Sequence, residues 1–117
     1  MNTRLLGAMG EQSAARYLRQ NGYEIYSSNF YTAMGELDIV AFKDGLLCFV
    51  EVKTRQEGTM LPPAAAVGHQ KIENLRSAAS FYMNKYSLKC DFRFDIIEVL
   101  TDSNFKVTSI NHIKGAF

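Results

Sequence analysis

The chain opens with a helical pattern. Ala14, Ala15 and Leu18 fall at three-, four- and seven-residue spacing from Glu11, which predicts a helix over about residues 3–20, with Asn2 or Thr3 as its cap. Asn21-Gly22 ends it, because glycine supplies the left-handed turn that follows a helix. A strand is expected at about 23–28, followed by a polar turn through Asn29 and Thr32 to Gly35. Two apolar runs come next, 37–43 and 46–54, separated by Asp44-Gly45. Asp-Gly between such runs favours a two-residue type I′ hairpin turn. Both runs are apolar on both faces, which calls for helices on each side of the sheet. Pro62-Pro63 marks a boundary before a second helix, about 64–86, in which Ile72, Leu75, Ala79, Tyr82 and Tyr86 form one buried stripe. Strands near 92–100 and 105–110 close the chain. The order is α-β-β-β-α-β-β, and the expected class is α/β with a mixed central sheet.

At 117 residues the chain fits one domain, 1–117. No apolar run approaches the ~20 residues needed to span a bilayer, and the N-terminus lacks the apolar core of a signal peptide, so a cytoplasmic protein without a membrane partner is expected. Cys48 and Cys90 belong to no CxxC pair, which leaves them as structural thiols. The net charge of +1 gives no overall basic excess, so any contact with nucleic acid has to come from a local patch. Gly-rich phosphate loops and serine-nucleophile motifs are absent.

The hairpin register carries the chemistry. With a two-residue loop at Asp44-Gly45, Phe42 faces Leu47, Val40 faces Phe49 and Asp38 faces Glu51; Lys53 shares their face. Opposed β-carbons lie ~4.5–5.5 Å apart. Two ionised carboxylates at about 5 Å repel by roughly 3 kcal/mol at an effective dielectric of ~20. A divalent cation relieves that repulsion, and hard oxygen ligands suit Mg²⁺ or Mn²⁺. A cation so placed activates water and stabilises charge on a phosphoryl oxygen, with Lys53 close enough to assist. The competing reading is an ion-pair cluster of Asp38, Glu51 and Lys53 at a sheet edge.

The neighbouring candidates divide in the same way. Glu11 either faces the sheet from the first helix, as a further metal ligand, or points to solvent. Glu36 reads first as a cap on the Gly35 turn, with a direct role in the site as the alternative. Arg55 suits a phosphate contact because a guanidinium binds phosphate through two hydrogen bonds. Lys71 is either a second phosphate contact or a solvated surface lysine. His69 and His112 have no Cys or His at metal-binding spacing and receive no ligand role.

Asp38, twelve intervening residues, and Glu51-Val52-Lys53 together resemble the PD-(D/E)xK motif of the restriction-endonuclease-like superfamily. A closer resemblance is to the YraN-like family of small bacterial proteins within it. It rests on Gly10-Glu11 with Ala14-Ala15 and Tyr17-Leu18, on Gly35-Glu36-Leu37-Asp38-Ile39-Val40-Ala41, and on Phe49-Val50-Glu51-Val52-Lys53-Thr54-Arg55. Lys71, Arg93-Phe94-Asp95, His112-Ile113 and Ala116-Phe117 extend it over nearly the whole chain. Leu37 stands where the superfamily's name has proline. The resemblance implies a restriction-endonuclease-like fold, with Glu11, Asp38, Glu51 and Lys53 as catalytic residues and Mg²⁺ or Mn²⁺ as cofactor.

The expected function is a metal-dependent endonuclease on DNA, acting on a branched or repair intermediate, with a homodimer or a larger complex open to it. Two alternatives keep the fold without the chemistry: a non-catalytic nucleic-acid-binding module and a protein-interaction subunit. Salt-dependent binding that survives loss of Lys53 marks the first alternative; a protein partner without nucleic-acid affinity marks the second.

Overall fold

The computed structural model describes residues 3–58 and 67–117. The elements are α1 (Thr3–Gln20), β1 (Glu24–Tyr31), β2 (Glu36–Lys43), β3 (Leu46–Gln56), α2 (His69–Lys85), β4 (Asp91–Thr101) and β5 (Val107–Ile113). The order α-β-β-β-α-β-β is the one the sequence predicts. Asn2, Pro62-Pro63 and the predicted first turn of the second helix at 64–66 lie outside the described residues. Within them, α2 starts later than expected, at His69, because Gly68 is extended (φ −66°, ψ 151°) and caps it. No helix among the described residues is long and apolar enough to cross a membrane.

The five strands form one sheet in the order β1-β2-β3-β4-β5. Every pair is antiparallel except β3 and β4, which run parallel and are joined through α2. This is a mixed sheet flanked by two helices, compatible with a restriction-endonuclease-like fold. Asp44 and Gly45 both have positive φ (51° and 79°), as a type I′ turn requires, and Lys43 pairs with Leu46.

Each face of the sheet carries its own core. Under α1, Ala14 and Leu18 pack on Ile39, Ala41, Cys48, Val50, Ile97 and Val99. Under α2, Leu75, Ala78, Ala79 and Tyr82 pack on Leu37, Val40, Leu47, Phe49 and Phe94. Strand alternation divides β3 cleanly, with Cys48 and Val50 on one side and Leu47 and Phe49 on the other.

A buried carboxylate ties the α1 side together. Asp95 of β4 is fully buried. Its Oδ1 accepts hydrogen bonds from Arg93 Nε (2.7 Å) and the Gly115 N–H (3.0 Å), and its Oδ2 from Arg93 Nη2 (2.8 Å). His112 Nε2 of β5 lies 2.8 Å from Oδ2, while its Nδ1 meets the Tyr17 hydroxyl of α1 at 3.2 Å. His112 is therefore not isolated, as its sequence spacing suggested; its partner lies on the adjacent strand. Burial opposes ionisation of Asp95, but the hydrogen bonds from His112, Arg93 and the Gly115 amide outweigh it and hold the carboxyl down at about 2.

A carboxyl lowered in this way stabilises the fold above its unfolded value near 3.8 and loses that contribution as pH falls through about 2. Wild type should lose about 2 kcal/mol over this acid window through Asp95. In urea denaturation at neutral pH, Asp95→Asn should cost roughly 1–3 kcal/mol, because the charge-assisted hydrogen bonds that Arg93 and the Gly115 amide make to a fully buried carboxylate are weakened or lost. The variant should also lack the Asp95 part of the acid transition.

Candidate metal centre

The site forms where α1 crosses the sheet, and a glycine sets the distance. A Cβ on Gly10 would overlap the hydroxyl and the Cβ of Thr54 on β3. Glycine in a helix interior costs about 1 kcal/mol relative to alanine, so its use here reflects close approach of α1 to β3. That approach brings the next residue, Glu11, over the start of β2.

The start of β2 departs from a regular strand. Ladder pairing between β2 and β3 runs from Lys43↔Leu46 to Ile39↔Val50 and stops there. Beyond it, the Val52 N–H donates to Asp38 Oδ2 (2.9 Å), so a side chain takes the place of a backbone partner. On the other side, Asn29 adopts a left-handed φ of 52° between the pairs Ser28↔Ile39 and Phe30↔Leu37. Asparagine is one of the few side chains that tolerates this conformation. Leu37 consequently packs with Val40 under α2 although the two are three residues apart. Strict alternation is broken, and Glu36 and Asp38 come together with Glu11.

One carboxylate oxygen from each of Glu11, Glu36 and Asp38 lies within 4.8 Å of the others. Asn29, with its amide nitrogen turned toward the acids, donates to Glu36 Oε1 and Glu11 Oε2, both at 2.9 Å. One amide cannot neutralise three carboxylates. Burial raises the Asp38 carboxyl first, and the charges of Glu51, Glu11 and Glu36 add to it against the Val52 hydrogen bond, so that it stands at about 7. Burial and the charges of Glu36 and Glu51 raise Glu11 as well, while the Asn29 hydrogen bond lowers it.

Glu51 adjoins this cluster from β3. It is 6% exposed, and with Asp38 it lines a cavity of about 10 Å³. Two ammonium groups share its Oε1: Lys53 at 3.5 Å and Lys71 of α2 at 3.3 Å. Its Oε2 is buried with no hydrogen-bond partner. A buried carboxylate oxygen without a donor is costly, and in a native fold it marks strain, a catalytic role, or a place for water or an ion.

The six sequence candidates are thus placed as follows. Glu11 and Asp38 meet directly, and Glu11 faces the sheet. Glu51 and Lys53 adjoin them, but Asp38 and Glu51 are not the directly opposed pair that an uninterrupted hairpin predicts. Lys71 is drawn onto Glu51. Arg55 pairs with Glu98, its Nε 2.8 Å from Oε2. Glu36 and Asn29 were missed as site residues. Glu36, two residues before Asp38, shares its face by alternation and could have been found that way; Asn29 offered only its polarity and its tolerance of a left-handed backbone.

A family model described as an uncharacterised protein family matches residues 10–99, a span that holds Glu11, Glu36, Asp38, Glu51, Lys53 and Lys71. The chain belongs to the UPF0102 family. A UPF0102 protein of Caldicellulosiruptor saccharolyticus is 39% identical over the whole of both chains. One from Syntrophomonas wolfei is 43% identical over 97% of this chain and 98% of its own. A third, from Porphyromonas gingivalis, is 39% identical over 95% of this chain and 82% of its own. UPF0102 is the YraN family, so the resemblance seen in the sequence holds at the level of family.

Two outcomes follow for this UPF0102 chain. Gly10→Ala should destabilise it by roughly 1–3 kcal/mol through overpacking, despite the better helix propensity of alanine. Adding Thr54→Ala should recover most of that loss in a double-mutant cycle. An acid raised by folding, as Asp38 is, contributes its full stability below about 3.8 and loses it as pH rises through about 7. In chelator-treated protein, Asp38→Asn should therefore melt several degrees above wild type at pH 8, with the gap narrowing toward acid pH.

Proposed function

We propose that this protein is a metal-dependent phosphodiesterase that cleaves DNA, with Mg²⁺ or Mn²⁺ held by the carboxylates of Glu11, Glu36, Asp38 and Glu51. One observation carries the reading. Three crowded carboxylates adjoin a fourth whose buried oxygen has no partner, and two lysines stand at its other oxygen. The donor set is all hard oxygen, which suits Mg²⁺ or Mn²⁺; it contains no sulfur or imidazole to favour zinc. When bound, such a cation lowers the pKa of water and stabilises charge on a phosphoryl oxygen.

The protein groups divide the remaining work. Glu11, Glu36 and Asp38 would hold the cation, and Asp38 would then release to solvent the proton that crowding otherwise keeps on it. The Val52 amide fixes Asp38 at the end of the β2–β3 ladder. Glu51, held at Oε1 by Lys53 and Lys71, presents Oε2 to the cavity it shares with Asp38, where it can orient an attacking water or complete the ligand set. Lys53, 42% exposed at its side chain, can reach a phosphate and offset the negative charge that grows on it during attack.

The test is cleavage of labelled branched, nicked and single-stranded DNA with Mg²⁺ or Mn²⁺. The expected result is cleavage that stops with chelator and falls by about 10²–10³-fold in Lys53→Ala, while that variant keeps the wild-type melting temperature. Binding without cleavage on every substrate and with either metal would contradict the proposal in favour of a non-catalytic nucleic-acid module.

A further inference from the structure

A groove of about 670 Å³ runs between α1 and β1 and begins at the carboxylate cluster. Glu11 and Asn29, both part of that cluster, line one end; Arg16 and Arg19 line the groove farther along α1, with Gln12 and Ser28 between. Both arginines are exposed, and neither has an ion-pair partner among the described residues. The cations expected from sequence to meet phosphate are committed elsewhere, Arg55 to Glu98 and Lys71 to Glu51. Arg16 and Arg19 are not.

We infer that this groove holds the sugar-phosphate backbone of the strand being cut, with Arg16 and Arg19 binding phosphates on one side of the scissile bond. The inference rests on the proposed phosphodiesterase reading and adds to it how the substrate is held. Spacing supports it. At 1.5 Å per helical residue, Arg16 and Arg19 lie about 7.5 and 12 Å along α1 from Glu11. At 3.4 Å per nucleotide along the axis, that is roughly two to four phosphates away. Charge supports it as well. A guanidinium binds phosphate through two hydrogen bonds, and Gln12 and Ser28 add neutral donors. A chain of net charge +1 needs a local cationic patch of this kind, and this one leads into the acidic centre without neutralising it. Contacts of this sort position a strand and carry no sequence information, so the groove implies binding that is indifferent to sequence.

The test is fluorescence anisotropy of a labelled DNA duplex over a salt series in chelator, where cleavage cannot occur. It compares wild type, Arg16→Gln/Arg19→Gln, Arg16→Lys/Arg19→Lys and Asp38→Asn. The double glutamine variant should bind at least tenfold more weakly at low salt, and its slope of log affinity against log salt should be shallower by about 1.8, or ~0.9 per lost phosphate contact. The lysine variant should keep most of the slope, and Asp38→Asn should bind as tightly as wild type or more so. If the double glutamine variant melts early, the single variants should each show half the change in slope. Wild-type affinity and slope in the glutamine variants, or no salt-dependent binding by wild type, would overturn the inference. Intact binding without cleavage when metal is restored would count against the phosphodiesterase reading and leave the groove standing.

Discussion

Three carboxylates crowded at the start of β2, with a fourth beside them on β3, are the constraint around which the rest of this structure is arranged. Ionised together, such groups repel by several kcal/mol at an effective dielectric of ~20, and the fold brings them together regardless. It uses a helix-interior glycine so that α1 can lie on Thr54. It stops the β2–β3 ladder at Ile39↔Val50. It holds Asn29 in a left-handed conformation opposite that break. Each feature is locally unfavourable, and all three converge on Glu11, Glu36 and Asp38. Strain and propensity losses that gather at one place point to function there.

The opposite treatment of Asp95 sharpens the contrast. Asp95 is more deeply buried than any member of the cluster, yet it is supplied with an arginine, a histidine and a backbone amide, and it stays ionised far into acid. Asp38, only partly buried, is given one amide and three like charges, and its proton is held to about 7. The same fold therefore satisfies one buried carboxylate completely and leaves another short of positive charge. The first locks β4, β5 and the C-terminal turn to α1; the second is the group we propose as a cation ligand.

Much of the fold was legible because local chemistry and tertiary structure agree. Asp44-Gly45 set the hairpin register, and the two-sided apolar pattern of β2 and β3 required a helix on each face. Glu11 was legible only as a candidate: its spacing to Ala14 and Leu18, both fully buried, left it between the sheet and solvent, and the close approach of α1 to β3 decides it. What could not be read was what departs from regularity. Alternation assumed a straight β2, and the kink at 36–38 comes from a pairing that ends early and a left-handed residue on the neighbouring strand, neither of which leaves a periodic trace. The ion pairs of Lys71 and Arg55 could not be read for a related reason: their partners, Glu51 and Glu98, lie 20 and 43 residues away in sequence. His112 looked solitary because its partner, Asp95, is not a metal ligand at fixed spacing but a carboxylate on the strand beside it.

The most direct measurement of the central claim is calorimetric titration of Mn²⁺ near pH 6.5, run in two buffers of different ionisation enthalpy. Cation binding must displace the proton that crowding keeps on Asp38. The expected result is a single binding event whose heat differs between the buffers by an amount equal to the release of a fraction of a proton, together with loss of that event in Asp38→Asn. Absence of binding, or binding without proton release that survives in Asp38→Asn, would contradict it and leave the carboxylate cluster as an arrangement of charge with no cation to hold.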